Sequence, residues 1–423
     1  MPEPTDEFDA IPRGFAGSRV HNNDFNAAAT HEADGLIIRG IDDITDDNTR
    51  DAELGDCARA HKAGLKSCVH RRVVAVNHTA CIAQGRERGL PGPGLLAHVL
   101  VSKYCDHLPL YRQNVIYARE GVEIDRSTLA EWVGHMAFLL NPLVEAIAQH
   151  VRSGAAIHAD DTPVRVLDPG RGKARTGRLW VAVRDERPWG SCVPPAAFYL
   201  YSPDRKAKRA EALLGDCRGF LHADAYSGFN SLYKPVNGMA RLSEVACWAH
   251  ARRYIFDVHA KTKSPAAYLQ KIGELFAIED DISGRPPEER LAVRTALSVP
   301  LLAALKTEYE KTLGSVGNGT FAKALRYALT LWEALTRYTT DGRLDICNNA
   351  AERAIWPLAL GWKNWPFCGS DSGGERAAKM YTLIETAKLN DIDPEAYLRI
   401  VIARIADHQT KSIDQLMPWN IVL

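Results

Sequence analysis

Two stretches of the chain end alike. "AAIHADDTPVRV" at 155–166 and "GFLHADAYSGFN" at 219–230 are short apolar runs that reach His-Ala-Asp and then break into turn-prone residues. Asp160 and Asp224 therefore stand at the mouths of two strands. If those strands are neighbours, the two carboxylates meet at one rim, where they repel and lose hydration unless a cation lies between them. Hard oxygen donors suit Mg²⁺ or Mn²⁺ rather than Zn²⁺. Glu352, in "NNAAERAI", is the candidate third acid. Three carboxylates of this kind make a two-metal phosphodiester site, with one ion activating the attacking oxygen and the other stabilising the leaving oxygen. Helical spacing puts Asn348, Glu352 and Trp356 on one face and Asn349 and Arg353 on the next. The plainer reading of either aspartate alone is a strand-end turn former. The repeated tripeptide, with Glu352 following a helical stretch, favours the site. His158 and His222 share a strand face with those aspartates, either supporting the site or serving as core or rim residues.

The elements that must position these acids follow from periodicity. "GPGLLAHVLVSKYCDHLPLYRQNVIYARE" has helical period, and "TLAEWVGHMAFLLNPLVEAIAQHV" after the cap "DRS" reads as a second helical segment with a stripe of Trp132, Met136, Leu139, Leu143 and Ile147. The pair around a glycine turn has two readings, plain core helices or a helix-turn-helix that touches DNA. "AAIHADDTPVRVL", "TGRLWVAVRDE" and "AAFYLYSPDR" alternate as a three-strand meander; a helix, a fourth strand at "RGFLHADAYSGF" and a fifth running into a helix at "SEVACWAHARRYIFDVHA" follow. Residues 265–340 are almost wholly helical in pattern.

The 423 residues are 46% hydrophobic and 25% charged, enough for two or three domains with cores. No apolar run is long enough to span a membrane, and the acidic start has no signal-peptide segment, so a cytoplasmic protein is expected. The nine cysteines include no Cys-x-x-Cys pair and read as free thiols. The net charge of zero conceals an asymmetry: residues 1–56 hold fourteen acids and four bases, leaving 38 acids and 48 bases in the rest. A basic body suits a polyanion, although charge alone fits a solvated surface equally well.

The motifs "HADDTPV", "HADAYSGFN", "CWAHARR", "NNAAERAI" and "GSDSGGERAAKMYTLIETAKLNDIDPEAYL", with "GPGLLAHVLVSKYCDHLPLYRQ" upstream, resemble those of insertion-sequence-66 family transposases over about 89–423. The resemblance implies a DDE enzyme of α/β class: a ribonuclease-H-like mixed sheet, an all-helical insertion before the third acid and a helical segment in front. It divides the chain into a divergent region at 1–88, a helical segment at 89–152 and a catalytic domain at 153–264 and 341–388. The insertion occupies 265–340, and a C-terminal element 389–423. Asp160, Asp224 and Glu352 fill its catalytic and metal-binding positions, with Mg²⁺ or Mn²⁺ as cofactor. Asp161 reads as a neighbour of the site. Arg353, Lys363, Arg376 and Arg252 are candidate contacts to DNA phosphates. The implied partners are transposon ends and target DNA, a second copy of the chain on that DNA, and companion insertion-sequence proteins; the implied place is the nucleoid.

The chain also departs from that pattern. Residues 1–88 lack the Cys-x-x-Cys pairs of the family's zinc ribbon, and the spacing of Cys57, Cys68, Cys81, His61, His70 and His78 fits no standard zinc frame, so zinc is not expected. A shifted reading frame or a replaced N-terminus would account for this region. Cys347 stands where Asp is usual, Trp356 and Trp362 where Arg is usual, and Pro366 where an apolar residue is usual. Each lost guanidinium removes a potential phosphate contact, and Pro366 would break a helix or strand through "NWPFCG". Three functions remain: a DDE transposase whose activity in this copy is open, an inert remnant that binds DNA, and a metal-dependent nuclease of the same fold.

Overall fold

The computed structural model describes residues 91–422, apart from 169, 171, 236–240, 263 and 264. The expectations for 1–88, including the absence of a zinc ribbon, lie outside the described residues.

Four helices come first: α1 (Pro93–Tyr104), α2 (Leu110–Arg119), α3 (Arg126–Leu139) and α4 (Asn141–Arg152). The sequence reading ran α1 into α2 and α3 into α4, and both runs are broken. The first breaks at 105–109, where His107 takes φ 58° and Pro109 precedes α2. The second breaks at Leu140–Asn141, because Pro142 has no N–H to continue the ladder. Asp125 precedes α3 as expected of a cap, but its side chain makes no capping bond. The expected stripe is core: Met136, Leu143 and Ile147 are buried, and Trp132 and Leu139 pack against them.

The sheet is mixed. β1 (Ala156–Val166), β2 (Arg175–Arg184) and β3 (Ala196–Ser202) form the antiparallel meander. After α5 (Ala207–Leu214), β4 (Gly219–Ala223) lies parallel to β1, and β5 (Leu242–Ala246) lies parallel to β4, giving the order β3-β2-β1-β4-β5. Gly219 takes φ 109° beside the Ala155 carbonyl, where a Cβ would lie 2.2 Å from that oxygen, so only glycine starts β4 this close to β1. α6 (Trp248–Thr262) follows β5. The helical stretch then contains α7 (Ala266–Asp281), α8 (Pro287–Val293), α9 (Val299–Ser315) and α10 (Thr320–Thr330). A π-helical segment, Arg294–Ser298, joins α8 to α9; it sits where Pro300 has no N–H to offer the preceding turn. These helices share a core with β5 and α6 through Trp248, Leu305, Tyr309, Leu325 and Tyr338.

The chain returns to the sheet as α11 (Asn349–Asn364), the short β6 (Phe367–Cys368), α12 (Asp371–Leu389) and α13 (Pro394–Ile405). α11 ends just before Pro366, and β6 pairs in parallel with Arg165–Val166 at the far end of β1. α12 covers edge strand β3. Thr382 and Thr386, one turn apart, accept the Tyr199 and Ala197 amides at 3.0 and 3.2 Å, so the open edge is capped by side chains. No helix among the described residues is long and apolar enough to cross a membrane.

Candidate active site

The β1–β4 pairing sets His158 opposite His222 in register, and continuing that register puts Asp160 level with Asp224. The two imidazoles stack, centroids 4.1 Å apart and planes 13° apart, and both are buried. They are therefore core residues lying directly beneath the acids. Burial pushes His222 down to about 3. It is thus neutral, and its Nε2 accepts the Asp345 N–H at 3.0 Å.

Asp160 is half-buried and its Oδ1 accepts the Asp161 N–H at 2.7 Å. Burial, then the charge of Asp224, then the charges of Asp161 and Glu352 lift its carboxyl to about 8, against the single opposing backbone bond. The three acids thus share one electrostatic field, and among the described residues no cation pairs with Asp160. Asp224 sits past the end of β4 with Oδ1 on the Tyr226 N–H at 3.0 Å. Between them Ala225 takes φ 63°, a left-handed conformation that costs a residue with a Cβ about 1 kcal/mol. Strain therefore falls on the turn that presents Asp224.

Asp161 points away from Asp160 along the strand. Its side chain is buried and bound in a fork by Arg205, at 2.7 and 3.0 Å, with Arg178 at 3.2 Å. Arg205 in turn lies 3.8 Å from the Tyr226 ring centroid. This cluster ties β1 to the turn after β4, as befits a neighbour of the site.

Glu352 lies in the first turn of α11. The sequence grouped Asn348 with it as an amide facing the same ligand; the structure turns Asn348 inward instead. As the residue before α11 it is fully buried, donates Nδ2–H to the Ala159 carbonyl at 2.9 Å and gives its own N–H to the Cys247 Sγ at 3.2 Å. A residue at this position has left the helical φ/ψ, so the helical spacing rule does not aim its side chain. Its Oδ1 lies 3.3 Å from His158 Nδ1, whose Nε2 is 3.5 Å from Asp345. Asn349 and Arg353 line a separate cleft of about 270 Å³ with Glu279, Asp280, Arg290 and Asp345. Trp356 is 70% exposed, so it stands out from the helix beyond Glu352.

Residues not singled out as site residues from sequence also meet here. Cys247 and His250, three apart where β5 runs into α6, come with Glu352 to place one ligand atom each within 4.8 Å of the others. Asp160 and Asp224 are not in that group. His250 Nδ1 is 3.6 Å from Glu352 Oε1, so Glu352 leans toward α6. Burial lifts the Cys247 thiol to about 11, which keeps it protonated and an acceptor for Asn348. That leaves Glu352, partly exposed, as the hard donor of the three. The spacing Cys-x-x-His just after a strand was the available signal for this pair.

Asp345 closes the rear of the site. Burial would raise its carboxyl, but the contact with His158 and the charges of His158 and Arg290 hold it far below the usual carboxylate range. Arg290 and Arg294, both buried, bind Glu279 of α7 and the Leu344 carbonyl. The helical stretch is thereby bolted to the segment that delivers Glu352.

A mixed α/β fold with acids at the ends of two adjacent parallel strands and on a later helix is the class these features define. Residues 88–376 match the family described as Transposase IS66 family, and residues 382–419 match the IS66 C-terminal element. The chain belongs to the IS66 transposase family. It is 41% identical over 341 residues to uncharacterized protein y4qI of Sinorhizobium fredii (strain NBRC 101917 / NGR234), covering 79% of this chain and 63% of that protein. It is 38% identical over 361 residues to uncharacterized protein y4hP of the same strain, covering 82% and 65%. The chain thus spans somewhat under two-thirds of the length of these relatives.

Proposed function

We propose that this chain is a DDE transposase of ribonuclease-H-like fold that cuts DNA at a transposon end and joins the freed 3′-hydroxyl to target DNA. The observation that carries the reading is Asp160: its carboxyl is lifted by burial and by Asp224 and Glu352 together. A divalent cation relieves that repulsion, and the donor set of three carboxylates fits Mg²⁺ or Mn²⁺. When bound, such ions supply an activated oxygen nucleophile and charge stabilisation at the leaving oxygen.

The chain's own residues do the rest. Asp160 and Asp224 hold a fixed pair of oxygens on the β1–β4 rim. Glu352 supplies the third once it swings from His250. His158, Asn348 and Asp345 keep strand and helix in register beneath them. Arg353, Lys363, Arg252 and Arg376 are half-buried or exposed cations suited to DNA phosphates. The reading brings with it a second copy of the chain on the DNA, companion insertion-sequence proteins, and a cytoplasmic, nucleoid-bound location.

The test is a Mg²⁺-dependent cleavage and strand-transfer assay on transposon-end DNA. Activity abolished in Asp224→Asn supports the reading; activity retained in that variant overturns it. A second reading, an inert remnant that binds DNA, is favoured by Trp356, an exposed indole one turn past Glu352 where the family pattern usually has Arg. It predicts end binding without turnover. Cutting without preference for ends would instead mark a nuclease.

A further inference from the structure

A second hollow lies at the opposite end of α11. Its inner part, about 290 Å³, is lined by Lys103 of α1, Trp365, Ser370 and Arg376 among others, and no carboxylate lines it. It opens into a wider hollow of about 680 Å³ that shares Lys103 and Phe367 and adds Tyr111, Arg126 and Ser127, with Asp125 as its one acid.

The inner lining offers donors with little to receive them. Lys103 Nζ lies 4.4 Å from the Trp365 ring centroid and 5.1 Å from that of Tyr104, held over aromatic faces with no ion-pair partner among the described residues. Burial pushes its ammonium down to about 8. Arg376 is pinned: its Cζ would lie 2.9 Å from a Cβ at Gly134, so a side chain there would push it aside. Its one hydrogen bond, to the Ala130 carbonyl, is long at 3.4 Å, leaving most of the guanidinium fork unused. At the mouth stand the exposed faces of Tyr111 and Phe367.

We propose that this groove binds a backbone phosphate of the DNA, with the neighbouring base against Tyr111 or Phe367. The proposal rests on the reading of the chain as a DNA-acting transposase and adds a second point of contact to it. Two cations lining a space without carboxylates match a phosphate's charge. Aromatic faces beside a basic pocket suit an unstacked or terminal base.

The location fits a continuous track. α11 carries Glu352 in its first turn and ends against Trp365, a rise of about 20 Å. Its exposed face between them holds Arg353, Trp356, Leu360 and Lys363. At about 3.4 Å per step, that distance corresponds to about six base pairs of duplex. A strand cleaved at the acids and followed along α11 reaches the groove.

The experiment uses the full chain in EDTA, with a fluorescein-labelled DNA duplex of arbitrary sequence and a salt titration. Lys103→Met is expected to weaken binding and to reduce the slope of log affinity against log salt by about one, the value of one lost phosphate contact. Arg126→Gln, at the exposed rim, should weaken binding less and carries little folding risk. Folding of each variant is checked by circular dichroism. If the folded variants bind with wild-type affinity and slope, the groove is not a DNA site. Weakened self-association with unchanged DNA affinity would assign it to a protein partner and equally overturn the proposal. Binding is read in EDTA and strand transfer in Mg²⁺, so failure of the strand-transfer reading and failure of the groove are read in separate assays.

Discussion

Asn348 Nδ2 donates to the carbonyl of Ala159 at 2.9 Å, one residue before Asp160, while Asn348 itself stands just before α11, four residues ahead of Glu352. A single buried amide thus sets the distance between a strand acid and the helix acid. Its Oδ1 faces His158, so the same side chain reads the layer beneath the site.

Asn348→Ala should therefore cost more in activity than in stability. Losing the bond leaves a buried carbonyl unpaired, about 1–3 kcal/mol. A shift of about 1 Å in the Glu352 helix is enough for about a hundredfold loss of rate. Thermal melts and strand-transfer rates measured together check this; equal, small losses in both would show that the bond does not position Glu352.

The carboxylates should be a burden to the metal-free fold. Asp160→Asn removes a half-buried acid that its neighbours repel, so the variant should melt several degrees higher than the metal-free wild type. Added Mg²⁺ or Mn²⁺ should raise the wild-type melting temperature through binding linkage and raise that of Asp160→Asn much less. Calorimetric scans with EDTA and with metal make the comparison. A wild type indifferent to both ions would remove the support for a divalent site.

The parts of this arrangement legible in the sequence are the local ones. The meander and the fourth strand follow from alternation and turn residues, and the repeated His-Ala-Asp pointed to β1 and β4 as neighbours. The break at Pro142 was readable in principle, but the apolar stripe runs through it unbroken, so periodicity overrode the proline. The inward turn of Asn348 was not readable, because it depends on a carbonyl 189 residues away. The convergence of Cys247 and His250 on Glu352, and of Lys103 and Arg376 on one hollow, is likewise tertiary. It needs helices from distant parts of the chain to pack before the side chains meet.

The ion cluster behind the site gives a stability prediction. Glu279 is paired with buried Arg294 at 2.5 and 2.8 Å and lies 3.4 Å from Arg290. Glu279→Gln leaves a buried guanidinium without its counter-charge and should cost about 3–5 kcal/mol. Asp345 adds a pH dependence. Its folded carboxyl is held below the ordinary range, so the folded state binds fewer protons than the unfolded state as acid is added. The stability it contributes is complete above the unfolded carboxylate range and is lost as pH falls toward the folded value. Asp345→Asn should flatten that part of the acid limb in pH-dependent denaturant melts, and an unchanged limb would assign acid sensitivity to other groups.

Lys103 gives the DNA-binding prediction a pH signature. Arg376, Arg126, Cys368, Asp125, Tyr104 and Tyr111 are the other charged or titratable groups lining the same hollow. Burial raises the Cys368 thiol to about 11. Free Lys103 loses its proton above about 8, whereas a phosphate beside it favours the charged form and raises that value. Between the free and bound values the complex holds one more proton than its components. DNA affinity should therefore fall as pH rises past about 8, approaching tenfold per unit, well below the ordinary lysine range. Lys103→Arg keeps the charge at every pH and should flatten the profile over this interval. Fluorescence anisotropy across the alkaline range at fixed salt measures it. A wild-type profile identical to that of Lys103→Arg would mean that the ammonium does not meet the phosphate.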